Sequence, residues 1–129
     1  MNSFSNRHRY FLYRKPADMR KSFDGLGGLV NGQMSHPLMS GDVFIFLNAR
    51  RDRLKLLVWE DGGFVIWYKR LEQGTFELPS GDAKSTELEL RPEELMLILE
   101  GIKLASVKRR KRYTIPSQIT HKIGQIVEK

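Results

Sequence analysis

The stretch LKLLVWEDGGFVIWYKRLEQG, residues 54–74, constrains the fold more than any other part of the chain. Two β-favouring runs flank Asp61-Gly62, a dipeptide suited to the positive φ angles of a two-residue hairpin turn. Counting outward from that turn pairs Trp59 with Phe64, Leu57 with Ile66 and Lys55 with Tyr68 on one face. On the other it pairs Val58 with Val65, Leu56 with Trp67 and Leu54 with Lys69. Both faces are therefore apolar near the turn. A hairpin with one wet face alternates apolar and polar residues, so this one needs cover on two sides, from helices, a second sheet or a partner. Most of its rings are expected in the core, where large aromatic side chains supply buried area.

The remaining elements follow from periodicity and punctuation. Arg9 to Tyr13, RYFLY, reads as a short aromatic strand stopped by Pro16. Asp18 reads as the N-cap of a helix in which Met19, Phe23, Leu26 and Val30 share one face and Arg20, Lys21 and Asp24 point outward. Asn31 to Gly41 has the composition of a loop. Val43 to Leu47 is a strand, NARRD a basic turn, and Leu54 to Trp59 and Phe64 to Leu71 complete a three-stranded meander, with Thr75 to Leu78 as a short fourth strand. Pro92, Glu93, Glu94 and the following Gly101 delimit a helix near 92–100. The expected fold is α+β: an antiparallel β-meander of three to five strands packed on two helices over residues 1–104, with a basic C-terminal tail over 105–129.

A length of 129 residues with 40% apolar content suits one core. The absence of cysteine excludes disulfides and thiolate metal sites, and the polar amino terminus does not resemble a signal peptide, so a cytoplasmic protein is expected. No apolar run approaches the roughly 20 residues of a membrane span.

The formal charge of +7 is unevenly placed. Residues 1–104 carry 15 Lys and Arg against 14 Asp and Glu, a net of +1, whereas 105–129 carry 7 against 1, a net of +6. Clustered cations displace counterions from polyphosphates, so DNA is the expected partner. Two clusters stand out: Arg50, Arg51 and Arg53 before the second meander strand with Lys69 and Arg70 at the end of the third, and Lys108, Arg109, Arg110, Lys111 and Arg112 in the tail. Tyr68 lies at the edge of the first. After the second, Ile115, Ile119, Ile123, Ile126 and Val127 recur at near-helical spacing, and Tyr68, Ile119, Ile123 and Ile126 are candidates for holding a protein partner or a second copy of the chain.

No catalytic constellation assembles. His8, His36 and His121 lack metal-ligand spacing and read as surface residues. Asp18, Asp24 and Asp42 could in principle gather two metal ions for strand cleavage, yet Asp18 caps a helix and Asp42 follows a turn glycine, which explains both without chemistry. DGLGG, residues 24–28, ends a helical pattern where a phosphate-binding loop would open one, and it lacks the Lys-Ser/Thr that completes that motif. Neither an enzyme nor a cofactor is expected.

PADMRKSFDGLGGLV (16–30), the hairpin with its flanks through WYKRLEQGTFELP (67–79), and EELMLILEGI (93–102) together resemble the TnpB accessory proteins, the second-open-reading-frame products of the insertion sequence sixty-six family. The likeness spans residues 9–102 and departs at the turn, where Glu60-Asp61-Gly62-Gly63-Phe64 replaces the usual Asp-Gly-Asp-Gly-Phe. It implies a bacterial mobile-element protein that assists the transposase of the same element, and it supplies no catalytic residues. Two functions lead on these grounds: DNA binding through the basic clusters, or scaffolding of the transposase or of a second copy without DNA contact. An enzymatic reading survives only as a cryptic nuclease, which an Asp24→Asn control would test.

Overall fold

The computed structural model describes residues 7–79 and 85–101. Its elements are β1 (Tyr10–Tyr13), α1 (Phe23–Gln33), β2 (Val43–Leu47), β3 (Arg53–Glu60), β4 (Gly63–Arg70), β5 (Glu87–Leu90) and α2 (Pro92–Glu100). They form an α+β fold around one five-stranded sheet in the order β4-β3-β2-β1-β5.

The cover demanded by the two-faced hairpin comes from one helix on each side. Leu26 and Val30 of α1 pack with Phe11, Phe44, Phe46 and Leu57 on one face, where Phe64 and Ile66 of β4 join them. Leu95, Leu97 and Ile98 of α2 pack with Tyr10, Leu12, Ile45, Leu54, Leu56 and Val58 on the other, joined by Val65 and Trp67. Every residue of β1 and β2 is buried, as central strands covered on both faces must be.

The hairpin register is the one counted from sequence, from Trp59 opposite Phe64 to Leu54 opposite Lys69. Asp61 and Gly62 both take positive φ, 51° and 82°, the signature of a type I′ turn whose twist matches that of the strands it joins. The turn Glu60-Asp61-Gly62-Gly63-Phe64 therefore holds the register counted from the sequence.

Three expectations are corrected. The sheet is mixed: β1 runs parallel to β2, with Tyr10 beside Val43, while the other pairings are antiparallel. Parallel neighbours need a crossover, and α1 supplies it on the face opposite α2. Secondly, Thr75 to Leu78 is not a strand. Phe76 instead plugs the core beside Leu78, held by its N–H to the Arg51 carbonyl at 2.7 Å. The additional strand is Glu87–Leu90, whose strict alternation of Glu and Leu is a β pattern, and it pairs antiparallel with β1.

Thirdly, α1 begins at Phe23, so Asp18 caps a turn rather than the helix: its carboxylate accepts the Arg20 N–H at 2.9 Å and its carbonyl accepts the Lys21 N–H at 3.0 Å. Phe23, the first residue of α1, is 46% exposed, while Leu26 and Val30 are fully buried. The helix also continues through Gln33 into the expected loop. Gly27 faces Leu38 so closely that a Cβ there would stand 3.1 Å from its methyl group, a contact that accounts for glycine in mid-helix. α2 matches its expected limits, closing on Gly101 in the left-handed conformation.

Among the described residues no helix is long and apolar enough to cross a membrane. Leu57, fully buried between α1 and the sheet, is expected to cost about 2–5 kcal/mol when replaced by alanine, and Gly62→Ala about 1–2 kcal/mol through its positive φ alone. Urea unfolding of both variants checks the ranking.

Candidate nucleic-acid interface

The turn between β2 and β3 is built around one amide. The Asn48 side-chain oxygen accepts the Asp52 and Arg53 N–H groups at 3.1 and 3.0 Å, and its nitrogen donates to the Asp52 carboxylate at 2.7 Å. The Asn48 carbonyl accepts the Arg51 N–H at 3.0 Å. From outside, Leu71 and Phe76 donate their N–H groups to the carbonyls of Asp52 and Arg51. This framework holds Arg51 at φ 61°, a left-handed conformation unusual for a long side chain, and leaves Arg50 and Arg51 exposed at the tip. Asn48, aided by Arg50 and Arg53, keeps the Asp52 carboxyl below the usual carboxylate range.

Beside this turn lies the loop before α1. Asp18 grips the Arg20 guanidinium with both oxygens, at 2.8–3.1 Å, and together with the Arg20 N–H this holds its pKa down at about 2. Beneath the loop Lys55 is 7% exposed, donating to the carbonyls of Met19 and Lys21 at 2.9 and 2.7 Å with its ammonium 4.7 Å from the Tyr68 ring centre. A buried lysine saturated by two carbonyls and an aromatic face anchors the loop to the sheet. Between loop and turn opens a cleft of about 450 Å³, lined by Arg20, Arg50 and Arg53 together with Asp18, Asn48 and Asp52.

The first sequence-predicted cluster divides between the two faces. Arg53 and Arg70 are direct cross-strand partners on the α1 side, like charges in the opposed position that a sheet tolerates poorly on its own. Arg70 leans on Glu72 at 2.9 Å, and Arg53 reaches the Tyr68 hydroxyl at 3.5 Å. Among the described residues Arg50, Arg51 and Arg53 make no salt bridge. Lys69, by alternation, points to the opposite face, where it donates to the Leu99 carbonyl at 3.2 Å near the C-terminal end of α2. Tyr68, 48% exposed, sits between Arg53 and Lys55 on the α1 side. Lys108, Arg109, Arg110, Lys111, Arg112, Ile119, Ile123 and Ile126 lie outside the described residues.

Comparison with known proteins places the chain. The sequence pattern of the family described as IS66 Orf2 like protein matches residues 8–109. The chain belongs to the IS66 Orf2-like family. It is thus a transposition-associated accessory protein. Among similar proteins are two from Sinorhizobium fredii (strain NBRC 101917 / NGR234), both named as uncharacterized: y4jC, 33% identical over 79% of this chain and 86% of that protein, and y4hO, 33% identical over 73% and 80%. No solved structure matches.

The IS66 Orf2-like match runs through Arg109, past the point where motifs are recognisable by eye, and so takes in Lys108 and Arg109. Sequence reasoning missed Asn48, Arg20 and Lys55 as members of this corner. Asn48 carried a signal, since asparagine opening a turn commonly hydrogen-bonds backbone groups that follow it. For Arg20 the helical periodicity pointed outward from a helix that had not yet begun. Among the described residues no group of three or more His, Asp or Glu is placed to hold a metal ion.

The Asp18 turn makes a pH prediction. Its folded pKa of about 2 lies below the ordinary 3.8, so its contribution to stability is complete above the unfolded value and is lost as pH falls through the folded one. Asp18→Asn is expected to flatten the decline in stability between about pH 5 and about pH 2, measured as urea midpoints at each pH.

Proposed function

We propose that this IS66 Orf2-like protein is a non-enzymatic, cytoplasmic accessory of transposition that binds DNA through its phosphates, largely without regard to sequence, and thereby assists the transposase of its element. One observation carries the reading: a hydrogen-bonded turn holds Arg50 and Arg51 outward beside Arg53 and Arg70, with Arg20 across a cleft and no salt bridge on the first three among the described residues. Opposed arginines share an anion more readily than they tolerate each other, and guanidinium groups grip phosphate with two parallel N–H bonds. Lys108 to Arg112 add a second set of cations as a clamp on the backbone. Lys69 supports the corner from the far face rather than touching phosphate.

Phosphate contact predicts a definite salt dependence. With about five phosphates neutralised, log K for random-sequence duplex should fall against log salt with a slope of about −4.5, and the triple change Arg50→Gln, Arg51→Gln, Arg53→Gln should flatten it by up to about 2.7. Fluorescence anisotropy over a salt series measures both. Absence of binding at low salt overturns the reading in favour of a pure protein scaffold.

A further inference from the structure

The sheet ends unequally. At one edge β5 is four residues long and carries Glu87 and Glu89, the short, charged design that discourages edge pairing. At the other, β4 is eight residues long, and from Gly63 to Tyr68 it has no charge and no proline. In a hairpin closed by a two-residue turn Glu60 and Gly63 form the hydrogen-bonded pair, so β4 points the backbone groups of Phe64, Ile66, Tyr68 and Arg70 away from β3. Among the described residues no backbone hydrogen bond reaches these outward groups. Phe64, Val65, Ile66 and Trp67 remain half-buried, and Tyr68 is exposed.

We propose that β4 pairs antiparallel with β4 of a second copy, about a two-fold axis through Ile66, to form a ten-stranded sheet across a homodimer. The choice of occupant rests on the strand's own charge order. Its turn end carries Asp61 and its far end Lys69 and Arg70, still net positive when Glu72 beside Arg70 is counted, so antiparallel self-pairing sets each acidic turn beside the partner copy's basic end. With Ile66 opposite itself, Phe64 meets Tyr68 on the α1 face and Val65 meets Trp67 on the α2 face. The half-exposed apolar stripes on both faces become continuous, and the outward N–H and C=O groups find partners in register. The two-fold also turns both cationic corners to the same side, with the two Arg70 positions about 27 Å apart along the strands.

The absence of native cysteine makes the register directly testable. Ile66→Cys in the full chain places two sulfurs at a self-opposed position, where Cα atoms about 5.5 Å apart permit a disulfide. It should form a covalent dimer as the main species under mild oxidation, whereas Asn31→Cys, on the exposed side of α1, should not. The unmodified protein should sediment at twice its monomer mass at tens of micromolar. Ile66→Pro removes a donor from the open edge without touching the β3 ladder and should shift sedimentation to monomer while circular dichroism is retained. A monomeric unmodified protein, or a dimer in which Ile66→Cys fails to cross-link, overturns the proposal. The cross-link reports even if Ile66→Pro does not fold, and it is read without DNA.

Discussion

Two-sided burial of the β3–β4 hairpin is the constraint from which the rest of the architecture follows. Leu57 on one face and Leu54, Leu56 and Val58 on the other are all buried, so neither face can be left to water. A simple meander leaves one face bare. The chain meets the requirement by placing α1 in a crossover between two parallel strands and α2 after the last strand, which puts one helix on each side. The parallel β1–β2 pairing requires such a crossover, whereas antiparallel neighbours need only a short turn, so the connection between these strands also carries the helix that covers one face.

The same arrangement locates the cationic corner. α1 starts late, after the turn at Asp18, and the loop ahead of it passes over the end of the sheet where β2 turns into β3. Lys55 ties that loop down through two carbonyls. The cleft exists because a loop secured from below and a turn secured by Asn48 stand side by side without filling the space between them. Its lining is mixed in charge, but both carboxylates are committed, Asp18 to Arg20 and Asp52 to Asn48, which leaves the arginines of the β2–β3 turn as its outward-facing charge.

Much of this was legible in the residues because it is local. The hairpin register followed from one dipeptide, VFIFL from its β-favouring side chains, and α2 from a proline at its start and a glycine at its end. The features missed depend on contacts distant in sequence. Thr75 to Leu78 has strand composition, yet Phe76 serves better as a core plug tied to the Arg51 carbonyl. The Met19–Phe23–Leu26–Val30 spacing is helical throughout, yet Asp18 closes a turn with Arg20 and postpones the helix by a turn of chain. Within the site, Tyr68 opposite Lys55 was readable from register. The division of Lys69 from Arg70 needed only alternation, while the late start of α1 decided the place of Arg20.

Arg51 illustrates what such a framework does to a basic turn. A flexible basic loop loses backbone freedom when it meets a partner, about 1–2 kcal/mol for each residue ordered. Here that freedom was surrendered during folding, through Asn48 and the two amides donated by Leu71 and Phe76. An anion arriving at the tip would meet a backbone already ordered, so the conformational entropy left to lose there is that of the arginine side chains.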